Sequence, residues 1–343
     1  MKYQFCVRFK NVDANSAASK AVLDCNQLFL KAGYRDHTLT VGDNSRKFTY
    51  YITLFKSLIR FYFSIQKNSL VGIQYPLLSV NNVFGRFIKA VRKKNVRFFC
   101  IVHDLESLRT GERPDAVAQE AARLNDYDHL IVHNERMRDW LTRAGVTRPM
   151  LLLDVFDYLA TDGADAALIS NNNHVVYAGN LIKSKFVTQL DQLSNVQFNL
   201  FGPGYSTVLA AKAAHVHWLG QYQPDEIPTK LNGAFGLIWD GDHIDRCDGV
   251  LGNYLNYNNP HKLSLYLAAG LPVIAPKTSA IGVMIKQLNL GLLIDNLYDL
   301  EDLKVDDNAY ATMRTNVSAI RKKVISGHYF TTALAKIEQQ YAD

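Results

Sequence analysis

The chain has only four cysteines in 343 residues, and they stand far apart at Cys6, Cys25, Cys100 and Cys247. None forms a CxxC pair. That argues against a structural zinc site and a disulfide framework, and it makes reduced thiols in the cytoplasm the expectation. No apolar run approaches the roughly 18 residues that a membrane-crossing helix needs. The first residues, MKYQFCVRFK, lack the apolar core of a secretory leader and read as a strand. Internal repeats and low-complexity tracts are missing. GxGxxG and GxxxxGK[ST] are missing too, which leaves neither a dinucleotide fingerprint nor a P-loop. The excess of one charge sign is small: 38 Lys and Arg against 32 Asp and Glu give +6. Such a balance permits anionic ligands or membranes and does not indicate nucleic acid. The densest basic run, residues 89–97 (KAVRKKNVR), has no interleaved stacking aromatics. It reads as a solvated helix face with a loop, or as a patch for a membrane surface or polyanion.

What is present is alternation. Strand-like runs at 3–9, 38–41, 70–74, 97–102, 130–132 and 150–153 are separated by segments with helical spacing. After a polar stretch at 157–173 a second series follows, at 175–178, 196–201, 216–219, 235–239, 273–275 and 292–294. The residues from 310 to 341 are mostly helical in pattern. Repeated βα units argue for parallel sheets with helices on both faces. At this length two domains are expected. Their expected boundaries are an N-terminal domain over 1–156, a linker over 157–173, a C-terminal domain over 174–320 and a helical segment over 321–343. Doubly wound sheets hold ligands beyond the carboxyl ends of their strands, and the informative residues fall there.

The most specific stretch is 261–276, HKLSLYLAAGLPVIAP. It reads as a helix start, an apolar helix, a stop at Gly270 and a buried strand. Lys262 lies in the first helical turn, where the helix dipole disfavours a cation. Either the side chain is solvated, as most charges are, or an anion sits there, since helix amides and a lysine together suit a phosphate. His103-Asp104 ends the most apolar strand of the first half. Asp104 suits a general base or a helix cap, and His103 could orient it or touch the ligand. Gly179-Asn180 follows a strand, with Lys183 and Lys185 close behind. They fit a diphosphate or a plain βα turn. The loop at 243–260 offers Tyr254, Asn258 and Asn259 as donors and acceptors for hydroxyls.

Taken together, WDGD(x)nYxxYNNPHKxSLYLAxGLPVI, the His-Asp after a strand, Ala178–Asn180 and Gly236–Trp239 resemble the signature of bacterial nucleotide-sugar transferases of the GT-B type. The resemblance is closest to the glucosyltransferases that extend O-linked GlcNAc on serine-rich repeat adhesins. Galactofuranosyltransferase-like proteins are related. It covers essentially the whole chain. It implies an α/β fold with two Rossmann-like doubly wound domains facing across a cleft. It also implies a UDP-sugar donor held mainly by the second domain and a glycan or glycoprotein acceptor held mainly by the first. Transfer would be inverting, with no cofactor and no obligatory metal. Lys262 would contact the donor diphosphate, with Asn180, Lys183, Asp240, Tyr254, Asn258, Asn259 and His261 around the nucleotide-sugar. His103 would face the acceptor and Asp104 would be the base. The family's glycine-bearing N-terminal loop is matched only loosely at 11–16, which has no glycine. Asp240-Gly241-Asp242 has the DxD spacing that can hold Mg²⁺ or Mn²⁺. The favoured reading is a polar loop that holds sugar hydroxyls or Lys262. Members often self-associate, although no helix face in the sequence marks an interface. The resemblance implies glucose as the sugar moved, to a hydroxyl on an O-GlcNAc-bearing serine-rich protein; galactose or galactofuranose transfer, or binding without turnover, are the alternatives.

Overall fold

The computed structural model describes residues 1–9, 17–41, 47–77, 80–161, 173–205 and 213–341. The loop at 11–16 and most of the expected linker therefore lie outside the described residues. The chain divides into two compact units, Met1–Asp154 with Tyr329–Asp343, and Val155–His328.

Among the described residues the first unit is built on six parallel strands in the order β2-β1-β3-β4-β5-β6. These are β1 (Lys2–Phe9), β2 (Arg35–Val41), β3 (Leu70–Tyr75), β4 (Arg97–Val102), β5 (His129–Val132) and β6 (Met150–Leu152). The central strands β3 and β4 are buried almost throughout, which explains their unbroken apolar sequence: both faces are covered by helices. The helices are α1 (Ala17–Lys31), α2 (Lys47–Ser64), α3 (Asn81–Val91), α4 (Glu106–Arg109), α5 (Pro114–Leu124) and α6 (Glu135–Arg143). A stack of Phe5, Phe61, Phe84 and Phe87 fills one side, with ring centroids 4.9–5.5 Å apart.

The second unit carries the order β12-β11-β10-β7-β8-β9, again all parallel. Its strands are β7 (His174–Ala178), β8 (Gln197–Phe201), β9 (Val216–Trp218), β10 (Phe235–Leu237), β11 (Val273–Pro276) and β12 (Gly291–Ile294). Counted within the unit, this is the 3-2-1-4-5-6 order of dinucleotide-binding folds. Its helices are α7 (Gly249–Tyr254), α8 (His261–Ala268), α9 (Gly282–Leu288) and α10 (Asp307–Ser326). The sequence pattern had placed α7 inside a plain loop; six residues are too few to show a helical period.

The expected C-terminal segment is divided between the units. Helix α10 stays with the second, whereas the last helix, α11 (His328–Gln339), lies almost wholly in the first. Phe330 there meets Phe29 edge-on at 4.9 Å, and Glu338 pairs with Lys2 at 3.0 Å. No helix among the described residues is long and apolar enough to cross a membrane.

Candidate functional site

In the second unit the strand order reverses between β7 and β10. At such a point the connections leave in opposite directions and open a crevice at the strand ends. The ladder between the two strands is recorded for Phe235 with Val175 and Gly236 with Val176. Just beyond these pairs, the Tyr266 hydroxyl accepts the Ala178 N–H at 2.9 Å and donates to the Leu237 carbonyl at 3.0 Å. One buried side chain therefore joins the two strand ends where they separate. Its ring lies against Gly236, where an added Cβ would come within 2.2 Å of Tyr266 Cγ. No side chain fits at that glycine without displacing the tyrosine.

Tyr266 and Lys262 are four residues apart on α8, so they share a face. Lys262 reaches the same crevice. Its Nζ stands 2.6 Å from Asp240 Oδ1, 3.2 Å from the Trp239 carbonyl and 4.9 Å from the centre of the Tyr177 ring. The lysine side chain is 15% exposed and the aspartate 21%, so Lys262 is not a solvated surface charge. Burial alone would lower its pKa, but Asp240 and the Tyr177 and Tyr266 hydroxyls outweigh burial and hold it above the usual lysine range. The result is a fixed, partly desolvated cation beside the turn that follows β7, where Gly179 approaches the lysine Cε.

That turn is built from its own polar groups. Asn180 Oδ1 accepts the N–H groups of Ile182 and Lys183 at 3.1 and 3.2 Å. Lys183 is exposed. Lys185, also exposed, pairs with Asp242 at 2.9 Å. Gly202, at φ +127°, brings the end of β8 onto Gly179, where a Cβ would lie 1.9 Å from the Gly179 oxygen. The two carboxylates of Asp240-Gly241-Asp242 thus face different lysines. No group of three His, Cys, Asp or Glu among the described residues could hold a metal ion.

Within 243–260, the Cys247 thiol donates to the Asp240 carbonyl at 3.0 Å, and burial pushes its pKa up to about 12. Tyr254 is buried, and its carbonyl accepts the N–H groups of Tyr257 and Asn258. Asn259 is buried as well. Asn258 Oδ1 is shielded from solvent and accepts no hydrogen bond from the described residues. The His261 ring packs against Tyr158 at 5.2 Å and Phe156 at 6.3 Å.

In the first unit His103 and Asp104 follow β4. The His103 N–H donates to the Tyr75 carbonyl at 2.8 Å, and its Nε2 lies 2.9 Å from Gln74 Oε1 on β3. Asp104 Oδ2 pairs with Arg109 Nη1 at 2.7 Å, with both side chains part-exposed. Leu105, not Asp104, takes the N-cap position of α4, and its side chain does not cap the helix. Glu120 on α5 does so instead, accepting the N–H groups of Glu106 and Ser107 at 2.9 Å each and the Ser107 hydroxyl at 2.5 Å. The same carboxylate accepts the Tyr75 hydroxyl at 2.9 Å. Glu120 is 2% exposed, and these four donors satisfy its buried oxygens. It fixes the Asp104–Arg109 turn to the end of β3. Burial, then the Glu120 charge, raises the Glu106 carboxyl above its usual range. Tyr266, Tyr177, Gln74, Glu120 and Arg109 are absent from the sequence-derived candidates.

Two parallel-sheet Rossmann-like units, with polar side chains collected beyond their strand ends, define a glycosyltransferase of the GT-B class. Anabaena HepE, solved in complex with UDP, shares this fold: the TM-score is 0.63 at 14% identity, over 99% of this chain and 100% of that one. The profile described as "Glucosyltransferase 3-like, N-terminal domain" matches residues 4–155, and its C-terminal counterpart matches 175–337. The chain belongs to the glucosyltransferase 3-like family. The beta-1,6-galactofuranosyltransferase WbbI of Escherichia coli K12 is 30% identical over 76% of each chain. Glucosyltransferase 3 of Streptococcus gordonii is 24% identical over 71% of this chain and 72% of that one.

Proposed function

We propose that the protein transfers a hexose from a UDP-sugar to a sugar hydroxyl on a glycan or glycoprotein, with inversion at the anomeric carbon. The observation that carries this reading is the Lys262–Asp240 pair at the switch point of the second sheet. The acceptor oxygen forms its bond to the anomeric carbon as the bond to the diphosphate breaks. Negative charge then grows on the leaving UDP. A cation already fixed and partly desolvated stabilises that charge without reorganising. Lys262 fills this role, the exposed Lys183 adds charge at the rim, and no divalent ion takes part. Asn258 Oδ1 and the Asn180 turn offer polar groups to ribose or sugar hydroxyls. Asp104 takes the proton of the attacking hydroxyl, with Arg109 holding one of its oxygens and His103 beside it. Relatives support two donors. The family description favours glucose, and the higher identity to a galactofuranosyltransferase than to a glucosyltransferase favours galactofuranose.

The test offers UDP-glucose, UDP-galactose and UDP-galactofuranose with GlcNAc-bearing acceptors, and reads UDP release and product mass. Transfer from one of them, undiminished by EDTA, is expected. Binding of UDP without turnover from any donor would sink the reading, and loss of activity in EDTA would return Asp240 and Asp242 to a metal. Asp104→Asn should abolish transfer to an unactivated hydroxyl; retained transfer removes it as the base.

A further inference from the structure

Helix α2 (Lys47–Ser64) buries Leu54, Leu58 and Phe61 on one side. Its other side is not polar. Tyr51, Ile52, Phe55, Ile59 and Phe63 are all exposed, Phe55 by 65% and Phe63 by 77%. At 100° per residue they form one continuous stripe along the helix. Lys56 and Arg60, both exposed, run along its margin. At the carboxyl end of the helix the turn Arg92–Lys94 is fastened on. Lys94 Nζ sits 4.2 Å over the Tyr62 ring and donates to the Ile65 carbonyl at 3.1 Å, and its neighbour Lys93 is exposed.

The sequence around this helix is unusual in its charge. Residues 44–103 hold eleven Lys and Arg and no Asp or Glu. The other 283 residues carry a formal −5 against +6 for the whole chain. The positive excess is therefore concentrated in the segment that bears the stripe.

We propose that the exposed face of α2 lies on the surface of a bilayer containing anionic phospholipids. The aromatic and aliphatic side chains enter the acyl boundary, while Lys56, Arg60 and Lys93 meet the headgroups; Arg92 is already paired with Asp128. A helix with an apolar stripe, a basic margin and insufficient length or hydropathy to span is the form that rests in an interface. A second copy of the chain is the less suitable occupant. Helix α2 brings no carboxylate to pair with Lys56 and Arg60 across a two-fold axis, and residues 44–103 supply none. The proposal does not depend on the identity of the donor sugar or on the roles given to Lys262 and Asp104.

The test uses the full chain and two sets of vesicles, phosphatidylcholine alone and phosphatidylcholine with about one-third phosphatidylglycerol, read by co-sedimentation. Wild type should sediment with the anionic vesicles and be released by salt. Phe55→Ser with Phe63→Ser should lower that affinity by at least about ten-fold. Lys56→Gln with Arg60→Gln should lower it by about five-fold per charge and leave little preference between the vesicles. Both double variants replace exposed side chains, so their circular dichroism and melting midpoints should match wild type. Failure of the wild type to sediment with anionic vesicles overturns the proposal. So does undiminished binding by the Phe variant. A concentration-dependent dimer that the Phe variant abolishes, without vesicle binding, assigns the stripe to a second copy instead.

Discussion

Each unit has a buried tyrosine whose hydroxyl helps to fix a strand end, and the two use it differently. In the second, Tyr266 inserts its hydroxyl between β7 and β10 and completes the backbone pairing of two strand ends. In the first, Tyr75 is itself the last residue of β3 and donates to the carboxylate of Glu120, which in turn holds the turn after Asp104. The second arrangement locks main chain to main chain around a cation that cannot wander. The first is a chain of side-chain bonds ending in a part-exposed ion pair, Asp104 with Arg109. The buried charge of the second unit is thus held by backbone, and the part-exposed ion pair of the first is held by side chains. Four measurements can break or sharpen this contrast.

The largest effect is expected at the fixed cation. Lys262→Ala should lower kcat by about 10³-fold while the far-ultraviolet spectrum stays unchanged. Turnover near wild type would mean that the rigid site is not where charge is stabilised. Next is the pH response of the first unit. His133 is buried against the Val102 carbonyl, and burial, only partly offset by that hydrogen bond, lowers its pKa from 6.5 to about 4. Between those values the unfolded chain takes up a proton that the folded unit refuses. Stability is therefore full above pH 6.5 and declines as the pH falls toward 4, by about 3 kcal/mol. Urea titrations at pH 7 and pH 4.5 measure this, and His133→Gln should reduce the difference, leaving the smaller share of His37 and His129, whose pKa values burial also lowers. Tyr266→Phe should cost about 2 kcal/mol, because it leaves the Ala178 N–H and the Leu237 carbonyl buried without their partner. Tyr75→Phe should cost about 1 kcal/mol, since Glu120 keeps three of its donors. Equal losses in thermal melts of these two variants would erase the distinction between the units.

Much of this was legible from the residues. The βα alternation, the two parallel sheets and the placing of Lys262 beyond strand ends all follow from local periodicity and from one long block. The pairing of Lys262 with Asp240 was among the readings that the DGD spacing allowed. Tyr266 was not seen, although it lies inside the most specific stretch. In a run as apolar as LSLYLAAGLPVI a tyrosine reads as core, and nothing local shows that its hydroxyl meets two strands 29 and 88 residues away. Glu120 escaped for the same reason, since its donors come from 13 to 45 residues earlier. Short α4 and α7 contain too few turns to carry a period. The destination of α11 was hidden as well: its pattern says that one face is buried but not in which core.

That last helix has a consequence for how the protein is made. Phe330 fills the space beside Phe29, and Glu338 answers Lys2, so the first unit's core draws on residues that are made after the whole of the second unit. The second unit, contiguous from Val155 to His328, has all its parts sooner. The usual order of synthesis, in which the N-terminal unit closes first, cannot apply to that part of the core. The nascent first unit keeps an open apolar seam beside Phe29 until Phe330 has been made, and a chain cut before Phe330 would leave that seam unsealed.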